Sequence, residues 1–589
     1  MCGIFGYVGK ECDVPNMVLT ALKELEYRGY DSWGISVKYD RKLVTDKHIG
    51  KIGNATTTLP KSTLGIGHTR WATHGGVTVT NAHPHTNKAK TIAVVHNGII
   101  ENFHELRTFL IKHGYDFVSE TDSEVIPHHI DWEMRKGVGF ATAVKNTFNK
   151  LTGLNAIVVM YTPSKELVCV KNGSPLVIGK GAAEHFIASD AVALLNHTRK
   201  LYFLDDYEMA ILSSSSAQLL TLPSGRKKKL VFETIDWKPE RSVKGAYKHF
   251  LAKEIAEQPQ VIRQIALQQT KQIEALAKKI NNAFGTFFIG CGTASYASIA
   301  GTYLFSRIAN KHVNYAIGSE FDYLEHSITK RTLVIPISQS GETIDVVQPV
   351  QQAKQKGAQT AVITNVLGSS LYRMADFRLL LNAGPEKAVI STKAFTAMIA
   401  VLVHTALSLV GKSKEAKALL IRTSDGVKKL LRPSSILKIK KLTKTIVKKD
   451  HMYVLGRGLS YPAALEFALK MKETCYLHAE GFAGGELKHG VIALVEKGTP
   501  VVVLAPLDET YHEIISNAQE VKARGGYIIG ISPKPNPVFN SYFSVDDVGD
   551  ATLILEIVIA QLLAYYTALA KGLKDPDKPR NLAKSVTVK

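Results

Sequence analysis

Cys2 stands directly behind the initiator methionine in "MCGIFGYVGK". A second residue as small as cysteine permits removal of Met1, and the new terminus would carry a thiol and a free α-amine on one residue. An α-amine titrates near pH ~8, so close to neutrality it can take the thiol proton and act as the base of a nucleophile-base pair. Downstream, "GHTRWATHG" holds Arg70, Trp71, Thr73 and His74, "HNGIIEN" holds Asn97 and Gly98, and "SETDSEV" holds Asp122. If the thiolate attacks the side-chain amide of glutamine, the site must hold a zwitterion. An arginine for its carboxylate and an aspartate for its ammonium are the minimal complement. The tetrahedral oxyanion also needs donors, which an Asn side-chain N–H and the following Gly backbone N–H supply. Taken singly, each residue has a commoner structural use: Arg70 in a surface ion pair, Asn97-Gly98 in a hairpin turn, Asp122 as a helix cap. The set carries the chemistry.

A second group lies in the back half. "SQSGETIDVVQ" follows the apolar run "TLVIPI" and leads into a helical pattern. Ser338, Gln339, Ser340 and Thr343 therefore crowd hydroxyl, amide and backbone donors at a helix N-terminus, a setting for phosphate. The turn "GCGTASYAS", with Thr293 and Ser295, lacks the third glycine and the acidic partner of a dinucleotide fingerprint. In "YPAALEFALKMKETC", the i, i+4, i+7 spacing of Glu466, Lys470 and Glu473 predicts one stripe of a helix that begins near Pro462. An exposed, salt-bridged face is the commoner reading of that spacing alone. "GELKHG" adds Glu486, Lys488 and His489, and "PRNLAKSVTVK" places Lys584 among small and apolar residues. Shielding from water lowers a lysine's pKa and suits it to imine formation with a sugar carbonyl. His83, His85, His128 and His129 have no third ligand at a fitting spacing, so neither a metal nor a cofactor is expected.

The elements that must position these residues follow two grammars. The first third mixes β-type runs ("GISVKYD", "TIAVVHNGII", "NAIVVMYT") with the helical "VPNMVLTALKELEYRG", which suggests an α+β domain with large sheets. Further on, "FGTFFIGCGTASYASIAGTYLF" and "DHMYVLGRGLSYPAALEFALKM" each read as strand, Gly-x-Gly turn and Ala-rich helix, and each is followed by a further strand and helix. This predicts a tandem pair of doubly wound parallel-sheet domains, whose ligands bind at the carboxyl ends of the strands. The expected divisions are a front domain at 2–236, a linker at 237–248, a first α/β domain at 249–425 and a second, with a catalytic tail, at 426–589.

With 589 residues, two to four domains are the prior expectation. The formal net charge of +21 is spread along the chain apart from short runs such as "GRKKKL", without a basic stripe interleaved with aromatics. No nucleic-acid partner is expected; the charge suits solubility and anionic small molecules. Five cysteines without paired spacing point to a reducing, cytoplasmic compartment. The apolar stretches "AFTAMIAVLVHTALSLV" and "ATLILEIVIAQLLAYYTALA" carry His404, Glu556 and Gln561, and are expected as buried helices rather than membrane spans.

The stretches "CGIFGYVG", "LEYRGYDSWGI", "GHTRWATHG", "HNGIIENF" and "SETDSEVI" closely resemble the N-terminal-nucleophile glutaminase domain of the isomerizing glutamine-fructose-6-phosphate aminotransferases, and the back half resembles their sugar isomerase (SIS) pair. The resemblance implies a four-layer αββα glutaminase domain ahead of two SIS domains. It implies Cys2 as nucleophile, Asn97 and Gly98 as oxyanion hole, and Arg70, Thr73 and Asp122 as glutamine ligands, with Trp71 gating ammonia passage. It assigns the "SQSGET" loop to the phosphate of fructose 6-phosphate, His489 to ring opening, Lys584 to the imine and Glu473 to proton transfer between C1 and C2. Glu466 and Lys470 line that site, and "STKAF" lies near the sugar. A homodimer is implied, with His489 reaching a partner's site. One departure stands out: "CGTAS" places Ala294 where the family turn has serine, so Thr293 and Ser295 together are expected at the phosphate.

Two other readings stay open on sequence alone. A different glutamine amidotransferase with the same front domain should show a pyrophosphate or phosphoribosyl-pyrophosphate loop downstream, and none is found. A non-catalytic sugar-phosphate sensor should lack Cys2, Glu473 or Lys584, and all three are present.

Overall fold

The computed structural model describes residues 2–235 and 244–585. Most of the linker expected at 237–248, and Met1, lie outside the described residues. The chain divides into two compact units, Met1–Glu240 with Ala583–Lys589, and Arg241–Leu582.

The front unit is built on the two-residue period of its strands. In Gly3–Val8, Ile4 and Val8 point into one core, while Phe5 and Tyr7 point into another beneath the helix Val14–Leu25. This strand pairs antiparallel with Leu64–Arg70 and His185–Ala188 inside an eight-stranded sheet. Ile92–Gly98 does the same in a seven-stranded sheet. Its Ala93 and Val95 share the first core with Ile4, and its Ile92 and Val94 pack on the helices Phe103–Lys112, Val125–Arg135 and Phe140–Phe148. Helices thus cover both outer faces of a two-sheet sandwich, the four-layer arrangement that the resemblance implies.

The back unit contains two five-stranded parallel sheets. In both, the strand order by sequence is second, first, third, fourth, fifth. The first is centred on Gly285–Gly290 and Thr332–Ser338, the second on His451–Gly456 and Pro500–Leu504. The repeated order is the expected duplication. In each, the crevice between the first and third strands is the topological switch point, where ligands of such sheets bind.

The boundary expected at 425/426 falls inside the helix Ser413–Leu430, whose Leu420 and Val427 belong to one core running through both halves. Asp577 is fixed on the back unit, where its carboxylate accepts the N–H groups of Phe250 and Leu251 at 2.9 and 2.8 Å, whereas residues from Ala583 group with the front unit. Gly549–Ala570 is long and apolar enough to span a membrane, but 83% of its apolar window is buried inside the unit. Lys393–Leu409 is likewise a core helix.

Candidate active sites

All seven residues expected at the glutaminase site line one pocket: Cys2, Arg70, Trp71, Thr73, Asn97, Gly98 and Asp122. Two sheets deliver them. Cys2 precedes the strand Gly3–Val8, Arg70 ends its neighbour Leu64–Arg70, and Asn97 and Gly98 end Ile92–Gly98 in the facing sheet.

The Cys2 Sγ lies against the Trp71 backbone, accepting its N–H at 3.3 Å and reaching its carbonyl at 3.6 Å. The Cys2 carbonyl accepts from Asn97 Nδ2 at 2.9 Å and from Arg28 Nε at 3.2 Å. Arg28 is buried and anchored by Asp190 at 3.3 Å. Gly98 has φ +136°, and a Cβ there would lie 2.2 Å from the Leu154 carbonyl, so this turn demands glycine. Arg70 is buried, and its guanidinium donates to the carbonyls of His74, Gly75 and Gly76, shaping the loop that carries Thr73 to the pocket rim. Asp122 Oδ2 accepts the Ile100 N–H at 2.8 Å, and its Oδ1 accepts from Ser123 Oγ at 3.2 Å. Ser123 Oγ lies 2.7 Å from His96 Nδ1.

Sequence reasoning assigned no role to Arg28, His68, His96 or Ser123. All four stand within the quoted motifs "LEYRGYDSWGI", "GHTRWATHG", "HNGIIEN" and "SETDSEV", but what each touches shows only in the fold.

In the back unit, the turn after Gly285–Gly290 opens the helix Thr293–Ala309, and the turn after Thr332–Ser338 opens the helix Ile344–Gln355, with Thr343 at its N-cap. The two strands are adjacent and parallel, so both helix N-termini meet at the same crevice, a favourable place for an anion. Ser338 Oγ accepts the Gly341 N–H at 3.0 Å and Ser340 Oγ accepts the Glu342 N–H at 3.2 Å, closing the loop that includes Gln339. Glu342 is held on Ser370 by bonds of 2.8 and 2.7 Å. Gly341 has φ +66°, and a Cβ there would lie 2.1 Å from Ser369 Oγ.

The two hydroxyls of "CGTAS" are used differently. Ser295 is buried, its Oγ donating to the Gly292 carbonyl at 2.7 Å. Thr293 faces the acid-base stripe: its Oγ1 donates to Glu466 Oε1 at 3.3 Å and accepts from Lys470 Nζ at 3.1 Å. Lys470 Nζ also lies 2.6 Å from Glu473 Oε2 and 3.3 Å from both Glu466 Oε1 and the Ser391 carbonyl of "STKAF".

The stripe on the helix Ser460–Cys475 is not surface decoration, because Glu466 is 0% and Lys470 1% exposed. Burial holds Glu466 above the usual carboxylate range despite Lys470. Burial works against the Lys470 ammonium, but the two carboxylates more than offset it and keep its pKa above the ordinary lysine value. The cluster therefore sets the close Lys470–Glu473 ion pair beside Glu466, whose carboxyl burial biases toward the protonated form, a grouping suited to giving and taking protons.

In the second copy the loop equivalent to "SQSGET" is acidic. Arg307 pairs there with Asp508 at 3.5 Å and with Glu509, and it also meets Asp550 of the turn Gly549–Ala551 at 2.8 Å. His489 is exposed in the turn Glu486–His489; among the described residues no hydrogen bond or ion pair joins it to the Glu466 cluster. Lys584 is half-buried and groups with the front unit.

Fold and pocket together define a glutamine amidotransferase joined to a tandem SIS pair. The family model described as "Glutamine amidotransferase domain" matches residues 68–196, and that described as "SIS domain" matches 279–408 and 445–546. Curated relatives over the full length of both chains, all named glutamine--fructose-6-phosphate aminotransferase [isomerizing], include those of Clostridium acetobutylicum (41% identical over 614 residues), Aquifex aeolicus (43% over 601) and Thermococcus kodakarensis (41% over 613). The chain belongs to the isomerizing glutamine-fructose-6-phosphate aminotransferase family. Among solved structures, the C-terminal domain of glucosamine-fructose-6-phosphate aminotransferase from Francisella tularensis is 30% identical with a TM-score of 0.50, covering 56% of this chain and 99% of that one.

Proposed function

We propose that the protein hydrolyses glutamine at Cys2 and delivers the ammonia to fructose 6-phosphate, producing glutamate and glucosamine 6-phosphate. The observation that carries this reading is the meeting of Cys2, Asn97, Arg70 and Asp122 in one pocket, on a chain that also holds the buried Glu466–Lys470–Glu473 group.

In this reading Met1 is removed and the Cys2 α-amine takes the thiol proton. The thiolate adds to the glutamine carboxamide carbon, and Asn97 Nδ2 and the Gly98 N–H receive the oxyanion. Arg70, Thr73 and Asp122 hold the α-carboxylate and α-ammonium. Collapse expels ammonia and leaves a thioester, which water cleaves to glutamate, while Trp71 gates the ammonia.

At the SIS pair, Ser338, Gln339, Ser340 and Thr343, with Thr293 and Ser295, hold the sugar phosphate. His489 assists ring opening. The Lys584 amine condenses with the C2 carbonyl, releasing water, and ammonia displaces the lysine. Glu473 then takes a proton from C1 and returns one to C2, converting the ketose imine to the amino aldose. Glu466 and Lys470 set the proton inventory around it. The exposed His489 suits a homodimer in which each subunit completes its partner's sugar site, in a cytoplasmic enzyme without a membrane association.

The test is to incubate the full chain with glutamine and fructose 6-phosphate and quantify glutamate and glucosamine 6-phosphate together by mass spectrometry. Near-equal yields support the coupled reaction. Glutamate without amino sugar means a working glutaminase with a different acceptor. Intact mass of the purified chain checks the loss of Met1.

A further inference from the structure

We propose that His68 is a positioning residue for glutamine hydrolysis, fixing the Asn97 carboxamide so that its N–H, and not its oxygen, faces the developing oxyanion. The proposal rests on reading the Cys2 pocket as the glutaminase site.

His68 lies in the strand Leu64–Arg70, fully buried between the two sheets of the front unit. Its Nε2 is 3.0 Å from the His96 carbonyl oxygen and 3.0 Å from Asn97 Oδ1. A carbonyl can only accept, so Nε2 carries the proton and shares it between both oxygens. The tautomer is thereby set, and with it the identity of the Asn97 atom facing His68.

A primary amide is nearly symmetric in shape, so sterics alone do not distinguish its two orientations. With Oδ1 bound to His68, Nδ2 is turned toward Cys2 and donates to its backbone carbonyl at 2.9 Å. Flipped, the carboxamide would set N–H against N–H at His68 and oxygen against oxygen at Cys2. It would also aim a lone pair at the position where negative charge develops, turning a stabilising donor into a repulsive acceptor.

His68 is well placed to hold this choice. Its ring packs against His83 with centroids 4.2 Å apart, and its backbone is paired on both sides in the sheet. Burial pushes the imidazole down to about 3, so at working pH it stays neutral with its proton on Nε2.

The test compares steady-state glutamate release, and the rate of Cys2 alkylation by iodoacetamide, in the full-length wild type, His68→Leu and His68→Gln. Glutamine places an amide N–H where the imidazole Nε2–H sits. The expected result for His68→Leu is a kcat lowered roughly 10²-fold, the scale of one oxyanion donor, with KM and Cys2 alkylation within about threefold of wild type. His68→Gln should recover to within about tenfold of wild type on the same scale. A His68→Leu protein with wild-type kcat overturns the proposal. So does a parallel collapse of kcat, KM and alkylation in both variants, which would mean a structural role only. If His68→Leu does not fold, His68→Asn decides, since its amide is too short to reach the Nε2 position: equal activity of the Asn and Gln variants overturns the proposal. A wild type whose Cys2 is alkylated but which releases no glutamate overturns the reading of the pocket instead.

Discussion

Asn97 Nδ2 and the Cys2 carbonyl oxygen are hydrogen-bonded at 2.9 Å across the seam of the sandwich, Asn97 in a strand of one sheet and Cys2 directly ahead of a strand of the other. The bond fixes the start of the chain against the strand that carries the oxyanion donors. Replacing Asn97 with Ala removes one donor from the proposed oxyanion hole without touching Arg70 or Asp122. The expected loss in glutaminase kcat is roughly 10²- to 10³-fold, with KM for glutamine nearly unchanged. A loss below about tenfold would count against the role on that scale.

Much of this site was legible because its residues fall in short, dense motifs at strand ends. "GHTRWATHG" and "HNGIIEN" end strands of facing sheets, and the two-residue period places alternate residues in the shared core. What the sequence hid was burial. The spacing of Glu466, Lys470 and Glu473 gives a stripe but does not say whether the stripe meets water; the packing of the helix Ser460–Cys475 inside the back unit does. The pairing of Thr293 with Glu466 and Lys470 was hidden for the same reason, since it joins residues 173 and 177 positions apart. The junction of the duplicated halves is hard to read because they share one core, so no break in composition marks it, and 425/426 lies inside the helix Ser413–Leu430.

Lys470 and Glu466 should respond differently to neutral replacement. Removing the Lys470 ammonium leaves Glu473 without its 2.6 Å partner beside a second buried carboxyl. Lys470→Met is therefore expected to cost about 3 to 5 kcal/mol, the scale for breaking a buried pair. Burial biases Glu466 toward its protonated form, so Glu466→Gln should change stability little at pH 7. Thermal unfolding of both variants checks the contrast; equal destabilisation would mean that Glu466 is ionised.

Glu556 offers a pH test away from the proposed chemistry. It is buried in the core helix Thr552–Ala570, accepts the Ser460 hydroxyl at 2.9 Å, and burial pushes it up to about 8. Its folded pKa lies above that of an unfolded glutamate, near ~4.3, so the folded state binds more protons in between. Wild-type stability should therefore fall as pH rises from about 5 to about 8, and Glu556→Gln, which cannot lose a proton, should lack that component. The difference in Tm between variant and wild type, measured across that range, is expected to widen with pH in favour of the variant. A constant difference would show that Glu556 is ionised throughout.

The two halves of the proposed reaction rest on different residues, so they should come apart by mutation. Cys2→Ala removes the sulfur that must bond the glutamine carbon, and among the described residues no other cysteine lines the pocket. Glutamate release should vanish while fructose 6-phosphate is still isomerised, because that step needs the SIS cluster and Lys584 but no ammonia. Lys584→Ala removes the amine assigned to the imine, so amino sugar formation and isomerisation should both be lost while glutamate release persists. Measuring glutamate, hexose phosphate and amino sugar phosphate in parallel for both variants gives six readings. A Cys2→Ala protein that still made glucosamine 6-phosphate from glutamine would falsify the nucleophile assignment. A Lys584→Ala protein that still made it would transfer the carbonyl chemistry to another amine, with the buried Lys470, 2.6 Å from Glu473, the first to examine.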